Sequence, residues 1–182
     1  MNLFILNENP VIAAQEQCDK HINKMVIESA QMLSTTHRML DGTMYYELSK
    51  NNRRVKRYKL SDLRESQLYK AVHFNHPCTI WTRESLYNYL WHYKHFVALC
   101  DEFTHRYGKV HMTDTKLRKV LMAPPFRIPN IERTPFKLAM KSNPECMFPE
   151  DPVKSYRMYY KTKQSRFKMA WTNRNVPEWF AA

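Results

Sequence analysis

Glycine is almost missing from this 182-residue sequence: Gly42 and Gly108 are the whole supply. A Walker loop and a G-x-G-x-x-G turn both need clustered glycines against the phosphates, so phosphate-loop nucleotide enzymes are excluded. The same scarcity argues against a small β-barrel or sandwich, whose tight turns call for residues that tolerate positive φ. No run approaches the roughly 18 consecutive apolar residues of a membrane span. The opening Met1-Asn2-Leu3-Phe4-Ile5-Leu6 has neither a basic leader nor a long apolar segment, a pattern that predicts a soluble cytoplasmic protein with no membrane partner. The four cysteines, Cys18, Cys78, Cys100 and Cys146, lie far apart with no C-x-x-C pair. That spacing indicates neither a zinc knuckle nor a dense disulfide framework and predicts reduced, structural thiols. Acidic residues are scarce as well. Asp and Glu number 17 against 29 Lys and Arg, a formal charge of +12. The field of such a molecule draws polyanions, and nucleic acid is the leading partner.

What is present is enough apolar surface to fold, with 43% hydrophobic and 13% aromatic residues, in a length that fits one compact domain over residues 1–182. The punctuation predicts an all-α or mainly α fold around two long helices. Residues 2–6 read as an extended arm, after which Asn9-Pro10 offers a cap followed by proline at the first helical position. No proline or glycine then interrupts Val11 to Met39, and Gly42 reads as the stop. The stretch 42–60 reads as an exposed basic loop, since Lys50 to Lys59 holds six cations and no anion. Ser61-Asp62 would cap a second helix to about Phe74, and a long third helix would run from Thr79 to Tyr107, ended by Gly108. Thr113-Asp114 would open a short helix closed by Pro124-Pro125. Seven of the ten prolines fall between 124 and 152, predicting a stiff, irregular crossing. Asp151-Pro152 then starts a last helix to about Lys163, within a basic, aromatic segment over 151–182.

On the first long helix Gln17, His21, Lys24, Glu28, Gln31 and Thr35 fall on one narrow stripe beside an apolar arc of Cys18, Ile22, Met25, Val26, Met32 and Leu33. The stripe is either a solvated face with an ordinary Lys24–Glu28 pair or the lining of a cleft, since its side chains can donate, accept or move protons. The third helix repeats the pattern with Glu84, Asn88, His95 and Glu102, and two such rows could frame a shared groove. His73, His76, His92 and His95 lack the H-E-x-x-H or paired spacing of a metal site. The run Tyr156-Arg157-Met158-Tyr159-Tyr160-Lys161-Thr162-Lys163 interleaves cations with aromatic rings. Cations can neutralise phosphates while rings stack on unpaired bases, although Tyr156, Tyr159 and Tyr160 are equally suited to a core.

The order of these motifs, Asp19-Lys20-His21-Ile22 with Glu28 seven positions after the histidine, then Phe103-Thr104-His105-Arg106-Tyr107-Gly108 and Tyr156 to Lys161, resembles the phage-type pyrimidine-dimer DNA glycosylase/AP lyase family. It is also similar to a group of viral proteins with a Cys-Asp-Lys-His…Lys-Met…Glu-x-Ala-Gln signature, here Cys18 to Gln31. The first resemblance implies a compact all-α fold, Glu28 as acid–base group and the amine of Met1 or Asn2 as the attacker of sugar C1′, with no metal or organic cofactor. Ile27 and Gln31 stand where that family carries basic residues, and Asn2 is too large to favour removal of Met1. Lys24, one turn before Glu28, is an alternative imine-forming nucleophile.

The expectation is therefore a DNA-repair or DNA-modifying N-glycosylase with lyase activity, acting as a monomer on duplex DNA carrying a flipped or damaged base. His21, Gln31, Thr35, Glu84, Asn88 and His95 would orient substrate or water. Arg53, Arg54, Lys56, Arg57, Arg157, Tyr159, Tyr160, Lys161 and Lys163 would hold the nucleic acid. A non-catalytic viral DNA- or RNA-binding protein and an enzyme of free nucleotides are the alternatives.

Overall fold

The structure is a computed structural model and describes residues 1–181. Its architecture is mainly α. The described residues form eight α-helices, α1 (Pro10–Gln15), α2 (Asp19–Asp41), α3 (Arg64–Gln67), α4 (Pro77–Glu84), α5 (Leu86–Tyr107), α6 (Met112–Met122), α7 (Pro152–Lys161) and α8 (Glu178–Ala181), and one short hairpin of β1 (Thr43–Leu48) and β2 (Arg54–Lys59) that leans on α2. Helices α2 and α5 pack on each other, α1 packs on α5, and α4 packs against both. No helix among the described residues is long and apolar enough to cross a membrane.

Both uninterrupted stretches expected as single helices are broken. The first stops at Gln15 and restarts at Asp19. Four backbone groups freed there find tertiary partners: Arg106 donates to the Gln15 carbonyl, Trp171 to the Glu16 carbonyl, and the Cys18 and Asp19 N–H groups donate to the Tyr160 hydroxyl and the Ala170 carbonyl. A helix can end without a helix breaker when packing supplies such bonds. The third breaks at Ser85, whose extended backbone starts α5 and whose hydroxyl accepts from the Tyr87 N–H at 3.1 Å. Gly108 does end α5, at φ 65°. Gly42 ends α2 for a different reason from the one its type predicts, because its backbone is extended. A Cβ there would lie 2.5 Å from the Arg38 carbonyl oxygen and 3.0 Å from that of Lys59, so glycine admits the close passage of the hairpin.

The basic stretch 42–60 is a hairpin rather than a loop. Thr43 pairs with Lys59 and Leu48 with Arg54, and the turn closes through the Ser49 N–H to the Arg53 carbonyl with Asn52 at φ 52°. The helix expected to reach Phe74 stops at Gln67, and residues 68–76 run as a strap along α2. Arg38 explains this: its buried guanidinium donates to the Tyr58, Glu65, Leu68 and Tyr69 carbonyls and to the Glu65 carboxylate. Thr35 extends the pinning, its hydroxyl donating to the Val72 carbonyl and accepting from the Val72 N–H. The last helix closes at Lys161 and tightens into a 3₁₀ turn at Thr162–Ser165.

Candidate active site

The N-terminal arm determines the site. Leu3, Phe4, Ile5 and Leu6 are buried in the core, and Asn2 turns the chain by accepting from the Leu3 and Phe4 N–H groups while donating to the Ala139 carbonyl. Phe4 sits in the left-handed region at φ 50°, which is uncommon for a bulky residue and persists because the surroundings hold it. Its ring lies 4.7 Å from that of His21 and 4.9 Å from that of Tyr160. At the end of the arm the Met1 side chain is buried and the α-amine emerges 3.6 Å from Glu28 Oε2. Lys24 Nζ stands 3.4 Å from the other carboxylate oxygen, with its own side chain mostly in solvent.

A histidine faces the same terminus. His76 precedes α4 and caps it, Nδ1 accepting from the Cys78 N–H at 3.2 Å. Its pKa is lowered, first by burial, then by repulsion from the α-ammonium and from His73, against the opposing pull of the Met1 carbonyl and Glu28. The strap thus brings His76 close enough to the chain terminus and Glu28 to feel both charges. The signal for this residue was present as His76-Pro77, a cap before proline, but nothing in its spacing tied it to the chain terminus.

The polar row on α2 divides by function. Gln17 is buried, its amide 3.4 Å from the Leu3 carbonyl and 3.3 Å from His95 Nε2. The Tyr160 hydroxyl lies 2.6 Å from His21 Nδ1. Burial, with the nearby cations Lys24 and Lys163, depresses the His21 pKa to about 4. Thr35 is occupied by the strap. Between these ends Lys24, Glu28 and Gln31 remain at least partly open to solvent. The row is therefore a seam receiving arm and strap, with one opening at the amine.

The second row does not face that opening. Asn88 is buried and bonded to the Trp81 carbonyl and Thr134, His95 is fixed between Gln17 and the Pro10 carbonyl, and Glu84 pairs with Lys137 at 3.4 Å. The two rows meet at Gln17 and His95 inside the core instead of across a groove. A cavity of about 560 Å³ does open between α1, α5 and α6, lined by Gln15, Tyr93, Asp101, Glu102 and Arg174, but Glu28 is not in its wall.

The cations expected to hold nucleic acid fall into two groups. Arg157 donates to the Leu6 carbonyl at 2.8 Å, Tyr159 and Tyr160 pack against Phe4, and Lys163 lies 3.5 Å over the Tyr159 ring, so α7 and the turn after it largely wall the arm. Lys161 beside them is half-buried. Arg53, Arg54, Lys56 and Arg57 stand on the hairpin. Among the described residues no three His, Cys, Asp or Glu side chains converge as a metal-ligand set. Comparison with models of known families, with characterised proteins and with solved structures yields no match, so the chemistry of Met1, Glu28 and His76 is read from their own geometry.

Proposed function

We propose that this chain is a DNA N-glycosylase with AP-lyase activity, acting on a pyrimidine lesion or modified base, with the α-amine of Met1 as nucleophile and Glu28 as acid–base group. The observation that carries the reading is the 3.6 Å approach of that amine to Glu28 Oε2 at the end of a buried arm. An arm anchored by its side chains holds the nucleophile in place before substrate arrives, which removes part of the entropic barrier to attack. As a class, α-amines titrate near about 7.7–8.0 and lysines near about 10.4, so an α-amine reaches its nucleophilic neutral form closer to physiological pH. The resemblance in motif order supports the same assignment.

In this reading the amine nitrogen bonds to sugar C1′ as the glycosidic C1′–N bond breaks, and the bonding pair leaves on the base, which takes up a proton. Glu28, as carboxylate, accepts a proton from the attacking amine and delivers it to O4′ as the C1′–O4′ bond opens to an iminium. The carboxylate then removes a C2′ proton, and the electron pair expels the 3′ phosphate. Water releases the sugar from the amine.

The test is borohydride trapping on a duplex with an abasic or dimer site, followed by peptide mapping. The adduct is expected on the Met1 peptide, absent from N-acetylated protein and retained in Lys24→Ala. Glu28→Gln should lower strand cleavage by about 10²–10⁴-fold while leaving DNA binding intact. An adduct on Lys24 would move the nucleophile. Salt-dependent binding with no adduct on any damaged duplex would instead make the chain a non-catalytic binder.

A further inference from the structure

The β1–β2 hairpin leaves an unpartnered face, and its two sides differ. On one, Glu47, the only anion of the segment Thr43–Lys59, is consumed by Arg57 at 2.7 Å and approached by the Tyr45 hydroxyl. The other side, set by the register, carries Met44, Tyr46 and Leu48 opposite Tyr58, Lys56 and Arg54. It holds no acid. Met44, Tyr46 and Leu48 are 45%, 48% and 69% exposed. The Arg54 guanidinium lies 3.8 Å over the Tyr46 ring and Lys56 Nζ 5.4 Å over that of Tyr58, so the cations are held by aromatic platforms. A lone two-stranded ribbon is only marginally stable in water. This one is fixed at its base, where Arg38 binds the Tyr58 carbonyl and the Tyr58 ring meets Phe74 at 5.6 Å.

We infer that this hairpin is a duplex-DNA docking ribbon whose Met44–Tyr46–Arg54–Lys56 face enters the major groove of B-form DNA. Charge complementarity favours a polyanion, with six cations against one anion over Thr43–Lys59. Shape narrows the choice. Paired strands lie about 4.8 Å apart, and the B-form major groove, about 12 Å wide, admits a two-stranded ribbon. The A-form groove of double-stranded RNA is too deep and narrow for that. Position relates the ribbon to the proposed chemistry, on which this part of the inference rests: Phe74, against which the ribbon face ends, lies two residues before His76 on the strap, and His76 is near enough to the Met1 amine and Glu28 to feel their charges.

The experiment compares binding of the intact chain to one sequence as B-form duplex DNA, as double-stranded RNA and as single-stranded DNA across a salt series. Tighter binding to duplex DNA than to either alternative is expected. Arg54→Ser with Lys56→Ser should weaken it at least tenfold and lower the slope of log affinity against log salt by about two, as expected for two lost phosphate contacts. Tyr46→Ser, which removes no charge, should weaken binding with the slope unchanged. Lys94→Ser with Lys109→Ser, exposed cations elsewhere, should change little. Equal losses from both cation pairs, or equal or tighter binding of either RNA duplex or single strand, would overturn the inference. Binding without trapping strikes the chemical proposal alone, and trapping that survives the hairpin variants with unchanged affinity strikes the ribbon alone.

Discussion

At the scale of single residues, one carboxylate meets two amines and one imidazole. Glu28 faces both the Met1 amine and Lys24, but the two nitrogens differ in mobility: Met1 is tethered through a buried side chain and Lys24 swings in solvent. His76 adds an imidazole near that amine, with Nδ1 committed to capping α4. His76→Asn retains a side-chain acceptor for the Cys78 N–H, so α4 stays capped, and it removes the imidazole near the α-amine. The expected outcome is a fall of about tenfold in kcat for strand cleavage with KM and melting temperature nearly unchanged. A purely structural role would lower the melting temperature instead. A calorimetric melt run beside steady-state kinetics separates the two. Glu28 was legible from its place on the α2 stripe. His76 was not, because the strap that delivers it takes its course from Arg38 and Thr35 on another element.

At the scale of elements, local signals named the helices and packing set their ends. Asn9-Pro10 and Asp151-Pro152 cap α1 and α7 as their types predict, with Asn9 accepting from the Val11 N–H and Asp151 from the Lys154 N–H. The breaks at Glu16–Cys18 and Ser85 depend on partners far away in sequence, such as Trp171, Tyr160 and the Pro129 carbonyl that accepts from Leu86. The hairpin had a readable signature in Thr43-Met44-Tyr45-Tyr46, Asn51-Asn52 and Val55 to Tyr58, masked by the density of cations. Gly42 joins hairpin and helix. Gly42→Ala would press a methyl into two backbone carbonyls that cannot rotate away. A loss of about 1–3 kcal/mol in unfolding free energy is expected, read from the denaturant midpoint. A Gly42→Ala chain as stable as the parent would mean that the hairpin base does not sit this close to α2.

At the scale of the whole molecule, the core contains four histidines held neutral by matched partners. The Tyr89 hydroxyl donates to the Leu121 carbonyl and so accepts from His37 Nε2, whose Nδ1 accepts from Arg64. Thr82 donates to the Cys78 carbonyl and accepts from His92 Nδ1, leaving Nε2 to accept from Ser29. His95 Nδ1 donates to the Pro10 carbonyl and Nε2 accepts from Gln17. Tyr160 accepts from the Cys18 N–H and donates to His21 Nδ1. Protonating His37, His92, His95 or His21 would both break an accepted hydrogen bond and place charge in the interior. Burial accordingly depresses His21, His37 and His95 to about 4 and drives His92 well down from the usual 6.5. Below the ordinary imidazole value the unfolded chain binds more protons than the folded one, so stability falls with falling pH. The melting temperature should lose this contribution progressively from pH about 6.5 down to about 4, with no histidine-linked loss above that window. A titration of melting temperature showing no decline between those limits would refute the neutral-core assignment.

The sequence by itself determined the helical character, the exclusion of phosphate-loop chemistry, the positive field and the alignment of Lys24, Glu28 and Gln31 on one face, because each follows from composition or from the period of a helix. Only the tertiary structure decided which parts of that stripe stay open, since Gln17, His21 and Thr35 are occupied by segments that arrive from elsewhere in the chain. It also decided that an amine at residue 1 reaches a carboxylate at residue 28 and that residue 76 lies near enough to feel both charges. The physical reason is that periodicity reports which side of an element a residue takes, whereas long-range hydrogen bonds and burial select what comes to lie against that side.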